Sequence, residues 1–236
     1  MKFLRFVFVA ALWFAVLPAR AQTPDAHLAT VLAQMDKASA EFKSARADVS
    51  QSYYERVSKD TTTESGSVYF ERKGGSTQMG LVTLDPGGKS KHQVIEFNDG
   101  VLRIFDVPND QIRVIKAGPN QGIAETFLTL GFGGSGKALA QAWEITDQGS
   151  ETLLDGGQPV KTEKLVLVSK DAKLRNTFTQ VTIWVDPVRD VSLKQVFDTP
   201  SNDKRTATYS RIKVNGGVDL KYFAIKKDSK TTVVGP

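Results

Sequence analysis

The stretch IAETFLTLGFGGSGKALAQAW, from Ile123 to Trp143, interrupts a sequence that otherwise alternates like a β-sheet. Its apolar residues recur at helical spacing, and they exceed what one small helix needs for packing. We refer to this stretch as the central insert. It predicts either a nucleotide-binding loop or a hydrophobic lid that moves on a glycine hinge. The candidate hinge glycines are Gly131, Gly133, Gly134 and Gly136.

The run from Gly131 to Lys137 fits both a G-x-G-x-x-G motif and the first seven positions of a P-loop. A dinucleotide site requires a strand just before the glycines, and residues 126–130 look like the end of a helix. A P-loop requires Ser or Thr after the lysine to bind magnesium, and residue 138 is Ala138. The context favours Gly131 as a helix C-cap and Ser135 as the N-cap of a second helix. The insert is therefore predicted to be a two-part lid.

The first 21 residues have the three parts of a secretory signal peptide. Lys2 and Arg5 form a basic start, Phe6 to Leu17 is apolar, and Ala19-Arg20-Ala21 is an A-x-A cleavage site. Residues 22–236 are expected to form one domain, since no linker, repeat or low-complexity run divides them. The absence of cysteine excludes disulfides and a lipidated cysteine, which suits a bacterial periplasm.

Charge and hydropathy exclude several classes of partner. The net charge of +5 falls to about +2 once the basic residues of the signal peptide are removed, which argues against nucleic-acid binding. The sequence predicts no stable membrane insertion, because no second apolar run approaches the roughly 20 residues of a membrane-spanning helix. We expect a soluble periplasmic protein, and a monomer.

Residues 23–43 predict an amphipathic helix, and from Arg46 onward the hydrophobic period changes to two. About a dozen strands follow, joined by turn sequences, of which Asn98-Asp-Gly100 is the clearest hairpin. The last strand is predicted at Tyr222–Ile225, before a polar tail. The fold class is mainly β with a helical lid (α+β). One helical break among so many strands predicts one antiparallel barrel or strongly curved sheet.

The sequence offers little support for catalysis or for a cofactor. It contains two histidines, His27 and His92, which lie 65 residues apart, and no H-x-x-x-H spacing. It also has no G-x-S-x-G motif. We therefore expect a protein that is not an enzyme and has no metal or cofactor.

In the strand Ser65–Arg72, period two places Val68, Phe70 and Arg72 on one face. If this face is concave, Arg72 points inward and needs several acceptors, because an unpaired buried charge is unfavourable. The carbonyls at a helix C-terminus would serve. Alternatively, Arg72 leaves the sheet into water beside Gly74 and Gly75.

The order and spacing of several motifs resemble the outer-membrane lipoprotein carrier (LolA-like) proteins of Gram-negative periplasms. The resemblance spans nearly all of residues 22–236. The motifs are Gln51, Gly66-Ser-Val-Tyr-Phe-Glu-Arg72, Phe97-Asn-Asp-Gly100 with Phe105-Asp106, Trp184-Val-Asp-Pro187, and Tyr209, Ile212, Asn215 and Phe223. The central insert indicates a branch distant from the best-known carriers. One departure is Lys73, where the family often has proline.

The resemblance implies an unclosed antiparallel β-barrel, covered by the N-terminal helix and the central insert, with a hydrophobic cavity under this helical lid. It also implies acylated lipoproteins as cargo, an inner-membrane lipoprotein-releasing transporter as donor and an outer-membrane receptor as acceptor. Arg72 matches a family arginine that holds the lid on the empty cavity, so it is the candidate latch. The candidate cavity and lid residues are Leu28, Val31, Leu32, Met35, Phe42, Val68, Phe70, Phe105, Phe127, Leu128, Leu130, Phe132 and Trp184. Plain core packing is the alternative for each of them.

Two other functions remain open at this level. The fold also resembles periplasmic proteins that bind anti-sigma factors, which would make this chain a lipid-binding sensor or regulator. It could equally carry free lipid or glycolipid instead of lipoprotein.

Overall fold

The computed structural model describes residues 24–74, 76–116, 118, 129–226 and 230–235. The predicted signal peptide lies outside the described residues, as do Phe127 and Leu128 of the central insert. The described helices are α1 (Pro24–Glu41), α2 (Gly136–Ala142), α3 (Ala172–Arg175) and α4 (Leu220–Phe223). The described strands are β1 (Ser44–Glu55), β2 (Asp60–Lys73), β3 (Ser76–Leu84), β4 (Lys91–Asn98), β5 (Val101–Asp106), β6 (Gln111–Lys116), β7 (Trp143–Asp155), β8 (Gln158–Ser169), β9 (Gln180–Asp186), β10 (Val191–Asp198), β11 (Lys204–Val214) and β12 (Thr232–Val234).

These strands form a single 12-stranded sheet in the order β12-β6-β5-β4-β3-β2-β1-β11-β10-β9-β8-β7. The pairs are antiparallel, except that β12 runs parallel to β6. Because β12 and β7 stand at opposite ends of the order, the described sheet does not close on itself. The predicted fold class is confirmed: an open antiparallel half-barrel with a few helices.

Local turn chemistry explains why sequence neighbours pair. In the β4–β5 hairpin, Asn98 pairs with Val101, and the two loop residues Asp99 and Gly100 have φ values of 49° and 71°. Two consecutive positive φ values are the mark of a type I′ turn, whose twist suits a two-residue hairpin. The predicted Asn98-Asp-Gly100 hairpin is confirmed.

The sheet has two faces, each with its own apolar packing. The inner face includes Ala47, Val68 and Leu81, which are cross-strand partners, and it continues across β9 and β8 with Ile183 and Leu165. Helices α1 and α2 pack against this face near β7. The outer face carries a smaller cluster around Tyr69, Val82, Val94, Phe105, Ile112 and Phe223.

The chain after β11 differs from the sequence-based expectation. The predicted strand at Tyr222–Ile225 is wrong: Leu220–Phe223 forms α4, capped by the Asp219 side chain. The peptide N–H of Ile225 donates to Glu96 Oε1 at 2.8 Å, which ties this segment to β4. The polar tail contains β12, which extends the sheet beyond β6.

None of the described helices is both long enough and apolar enough to cross a membrane.

Candidate functional site

The centre of the inner face is filled by Phe132, a residue of the central insert. Its side chain is 1% exposed. The Phe132 ring stacks on Phe70 with centroids 4.1 Å apart, and it meets the Tyr209 ring edge-on at 4.8 Å. Cluster members around it include Val68, Leu81 and Phe97 from β2, β3 and β4. The insert thus supplies the apolar group that fills the concavity.

The backbone around Phe132 pairs with the chain at the start of β10. The peptide N–H of Ser192 donates to Gly131 O at 2.6 Å, and the N–H of Gly133 donates to Asp190 O at 3.1 Å. Phe132 and Val191 form an isolated antiparallel bridge. We call residues 129–142 the lid segment. Its first part is turn and bridge, and its second part is α2, whose N-cap Ser135 accepts from the N–H of Ala138.

Arg72 joins the lid segment to α1. Its guanidinium donates from Nη1 to Ser39 O at 2.5 Å and from Nη2 to Gly133 O at 2.5 Å. A third hydrogen bond, from Nη2 to Ser39 Oγ, is 3.2 Å long, and Ser39 Oγ itself donates to Gly133 O at 2.8 Å. Ser39 O belongs to the last turn of α1, where carbonyls lack helical partners and attract cations. We call these contacts the latch.

The latch is shielded from water on one side. The Arg72 guanidinium lies 5.7 Å from the centroid of the buried Phe42 ring, within the range of a cation–π contact. Hydrogen bonds from a charged donor contribute about 1.5–3 kcal/mol each, more than neutral ones. Arg72 therefore holds three elements together: β2, the C-terminus of α1 and the lid segment.

The hinge glycines have different environments. Gly131 and Gly133 have φ values of +72° and +74°, and a Cβ on Gly133 would lie 2.3 Å from the Phe42 ring. A Cβ on Gly136 would lie 2.2 Å from Leu32 O, so this glycine allows α1 and α2 to touch. A Cβ on Gly134 would meet no atom within 4 Å. A Cβ on Gly131 would lie 2.4 Å from Ser192 Oγ, so close packing accounts for Gly131, Gly133 and Gly136, and conformation adds to it at Gly131 and Gly133.

A buried polar pair under the lid segment was not predicted from the sequence. Gln195 Nε2 donates to Leu130 O at 2.5 Å, and Tyr209 OH donates to Gln195 Oε1 at 3.0 Å. Burial raises the pKa of Tyr209, so its hydroxyl stays protonated and available as a donor. The sequence signal was available: Gln195 interrupts an apolar face of β10, and a polar residue there needs an internal partner.

The N-terminal helix covers the other half of the inner face. Its residues Val31 and Met35 are buried with Leu130, Leu139 and Trp143. Leu28 and Leu32 are partly buried against the same cluster, and Phe42 joins the cluster around Phe132. The predicted cover and lid residues that lie among the described residues therefore face the concave side.

Two predicted wall residues do not lie on this side, and that part of the prediction is corrected. Phe105 is paired with Val94 and Ile112 and packs with Phe223 on the outer face. The period-two rule places Ile104 inward, and Phe105 therefore outward.

Trp184 is also on the outer face. It pairs across the sheet with Lys164 and Lys194, whose ammonium groups lie 5.2 and 4.6 Å from its ring centroid. Its Nε1–H donates to Glu151 Oε2 at 2.6 Å. Its inward-facing neighbour is Ile183, which is fully buried in the cluster under α1.

The carboxyl group of Asp190, in the loop between β9 and β10, is the most perturbed acid near the latch. Its residue is 0% exposed. Burial raises its pKa to about 8; the charge of Arg72 lowers the pKa and that of Asp36 raises it. Nothing in the sequence pattern singled out this aspartate, because a turn aspartate is ordinarily solvated.

A histidine between two acids fixes the start of α1. His27 Nδ1 lies 2.5 Å from Asp147 Oδ2, and its Nε2 lies 3.5 Å from Glu163 Oε2. Both carboxylates are nearly buried. Among the described residues, no group of three or more His, Cys, Asp or Glu side chains is arranged to hold a metal ion.

A cleft of about 300 Å³ lies where α2 meets β7. Its lining residues are Gln141, Ala142, Trp143, Ser169, Lys170, Asp171 and Leu174. This volume is at the lower limit of pockets that hold small molecules.

The sequence matches no protein-family model and no curated protein. Solved structures are similar in fold. An uncharacterized conserved protein from Thermus thermophilus aligns with a TM-score of 0.52 at 12% identity, over 88% of this chain and 98% of that one. MucB aligns with a TM-score of 0.51 at 14% identity, over 89% of this chain and 66% of MucB.

A LolA superfamily protein from Nitrosomonas europaea aligns more weakly, with a TM-score of 0.41 at 13% identity, over 84% of this chain and 97% of that one. Identities this low show similarity of fold and leave activity open. The chain shares its overall fold with the Thermus thermophilus protein and with MucB, and at 12–14% identity this likeness concerns the fold alone.

Proposed function

We propose that this protein is a periplasmic carrier that shields the acyl chains of lipoproteins and moves them from the inner to the outer membrane. The observation that carries the proposal is the lid segment. Its Phe132 fills the concave apolar face, and a small set of hydrogen bonds from Arg72 keeps it there.

The energetics of an acyl cargo require such an arrangement. Exposing a chain of about 16 carbons to water costs on the order of 12 kcal/mol, at roughly 0.8 kcal/mol per methylene. A carrier must cover the chain and still release it. A lid segment that refills the site competes with the cargo, lowers the net affinity and so permits release.

Movement of the lid segment is needed for a long chain to bind. The cleft of about 300 Å³ beside α2 is small for such a cargo. The inner face offers a larger apolar surface once Phe132 has left Phe70 and Tyr209. Arg72 then acts as the latch, and an inner-membrane transporter and an outer-membrane receptor act as donor and acceptor, by resemblance to LolA-like proteins.

The test of function is mass spectrometry of what co-purifies with the protein from the native periplasm. Acylated peptides or lipoproteins support the carrier. Free lipid or glycolipid alone supports a carrier of free lipid, and capture of a partner's periplasmic domain without lipid supports a sensor. Either of these last two results overturns lipoprotein carriage.

The latch is tested by the substitution Arg72→Leu. Because it removes charged hydrogen bonds to Ser39 and Gly133, we expect lid opening to increase about tenfold or more, with the sheet still folded. Hydrogen exchange at the amides of residues 129–142, measured by mass spectrometry, reports the opening. Arg46→Leu is the matched control, since Arg46 is an exposed residue of neighbouring β1. Unchanged exchange in Arg72→Leu excludes the latch.

A further inference from the structure

A buried acid without a partner lies beside the latch. Asp190 is 0% exposed, and neither of its carboxylate oxygens has a hydrogen-bond partner among the described residues. Its backbone carbonyl accepts from the N–H of Gly133, the residue whose own carbonyl Arg72 holds. A buried, unpaired acid is strongly unfavourable. Its presence at this place suggests a partner in another state of the molecule.

The local backbone does not require an aspartate here. Asp190 has a φ of 55° at the end of the loop between β9 and β10. Glycine adopts this left-handed conformation without steric cost, whereas aspartate only tolerates it. A glycine would also remove the buried acid. A positive φ and a buried acid, both unfavourable for aspartate, therefore coincide at a position where glycine would suit the turn.

Few charges face Asp190. Arg72 of β2 attracts its carboxylate, and Asp36 of α1 repels it. The adjacent Arg189 binds Asp186 at 2.6 Å through Nε and Asp155 at 2.8 Å through Nη1, and its buried Nη2 makes no hydrogen bond to the described residues, Asp190 included. Asp36 in turn accepts from the backbone N–H of Lys137 in α2. When the lid segment is in place, Arg72 donates to carbonyls of α1 and of the lid segment. Asp190 is then buried, and its backbone carbonyl accepts from the N–H of Gly133.

We propose that Asp190 is the alternative partner of Arg72. When the lid segment leaves the inner face, the guanidinium exchanges the carbonyl of Gly133 for the carboxylate of Asp190, and Asp190 releases one proton to solvent. The open state gains an ion pair, and the acid loses its unfavourable burial. This inference rests on the proposed function only in requiring that the lid segment opens.

The direction of the pH dependence follows from linkage. In the closed state the pKa of Asp190 is raised by burial to about 8. In the open state, solvent and Arg72 return it to its ordinary acidic range or below. Protonation therefore favours closure. Opening becomes more favourable as pH rises from about 4 to about 8, by up to about tenfold per pH unit for a single proton, and levels off above that range.

The test measures opening directly and without lipid. Hydrogen exchange of residues 129–142 is followed between pH 5 and 8 and corrected for the intrinsic pH dependence of amide exchange. In the native protein we expect the opening constant to rise with pH, by up to about tenfold per unit. In Asp190→Asn, which keeps the shape and tolerates positive φ but cannot ionise, we expect no pH dependence.

Two further variants secure the interpretation. Asp99→Asn makes the same substitution at another hairpin residue with positive φ, which is exposed, and should retain the native pH dependence. Asp190→Gly relieves the turn, and it should match Asp190→Asn if the carboxyl group is the cause. Carbon-13 NMR of the Asp190 carboxyl group in the native protein should show titration well above the ordinary range of aspartate.

A native pH dependence that survives in Asp190→Asn and Asp190→Gly overturns the proposal, as does titration of Asp190 in the ordinary range. The outcome is independent of cargo. If the pH dependence is lost in both variants but no lipid or lipoprotein co-purifies, the carrier function fails and the role of Asp190 stands.

Discussion

At the scale of single residues, the carbonyl of Gly133 is the point where the lid segment is held. The oxygen of this carbonyl accepts hydrogen bonds from both Arg72 and Ser39, and the N–H of Gly133 donates to the backbone carbonyl of Asp190. The left-handed conformation of Gly133 turns this carbonyl toward Arg72, and the missing side chain admits the Phe42 ring. Arginine and glycine together thus form one contact that neither could form alone.

The substitution Gly133→Ala tests this contact. The new Cβ would meet the Phe42 ring at 2.3 Å in a backbone conformation with φ of +74°. We expect a loss of about 1–3 kcal/mol in the closed state, seen as faster hydrogen exchange in residues 129–142. Gly134→Ala is the matched control, because its Cβ meets nothing within 4 Å. Equal effects in the two variants would contradict the packing explanation.

At the scale of elements, the two faces of the sheet have different roles. The lid segment and α1 cover the inner face, while the segment around α4 covers the outer face of β3 and β4. In the outer cluster, the Tyr69 and Phe223 rings meet edge-on at 4.7 Å. Burial there raises the pKa of Tyr69 to about 12. A cation also holds this outer cover: Lys91 of β4 donates from Nζ to Tyr222 O, and its ammonium lies 4.6 Å from the centroid of the Tyr222 ring.

We therefore expect Phe223→Ala to lower the stability of the whole fold. Phe223 is 2% exposed, and removal of a buried phenylalanine ring costs about 3–5 kcal/mol. Urea denaturation followed by circular dichroism measures the loss. Leu220→Ala in the same helix is the control, since Leu220 is 43% exposed and should change little. A Phe223→Ala protein as stable as the native one would show that α4 is not part of the cooperative core.

At the scale of the whole molecule, the proposed carrier function makes the lid segment and the acyl cargo compete for one surface. The inner face is continuous from β3 to β8, and the Phe132 ring occupies the part of it beside Phe70 and Tyr209. The affinity of such a carrier for its cargo is set by the difference between two free energies, that of covering the inner face with the acyl chain and that of covering it with the lid segment. Weakening the lid segment should strengthen cargo binding.

Phe132→Ala is the direct test of this competition. The variant loses the side chain that fills the concavity and leaves an apolar space. We expect a fluorescent long-chain fatty acid to bind about tenfold more tightly or better than to the native protein, as judged by titration. Leu220→Ala on the opposite face, which should change stability little, should leave this affinity unchanged. Weaker binding by Phe132→Ala would mean that Phe132 contacts the cargo instead of competing with it.

Period-two alternation, turn residues and the helical spacing of residues 23–43 were enough to predict the N-terminal helix and one antiparallel barrel or strongly curved sheet. The open form of the barrel was implied by the resemblance of the motifs to a known family. These signals are local: a side chain's face follows from the parity of its position, and a turn follows from residues such as Asp99 and Gly100 that accept positive φ. The same parity placed Arg72 on the face of Val68 and Phe70, and left open whether that face is the concave one.

Only the tertiary structure decided which face of the sheet some side chains occupy and which polar groups are buried. Phe105 and Trp184 looked like wall residues, yet parity within their own strands turns them outward, and that depends on where each strand begins to pair. Asp190, Gln195 and Tyr209 gained their importance from what lies over them, since burial changes a polar group only when distant segments exclude water. The sequence determines the alternation; the packing of the lid segment against β10 determines which polar groups lose their solvent.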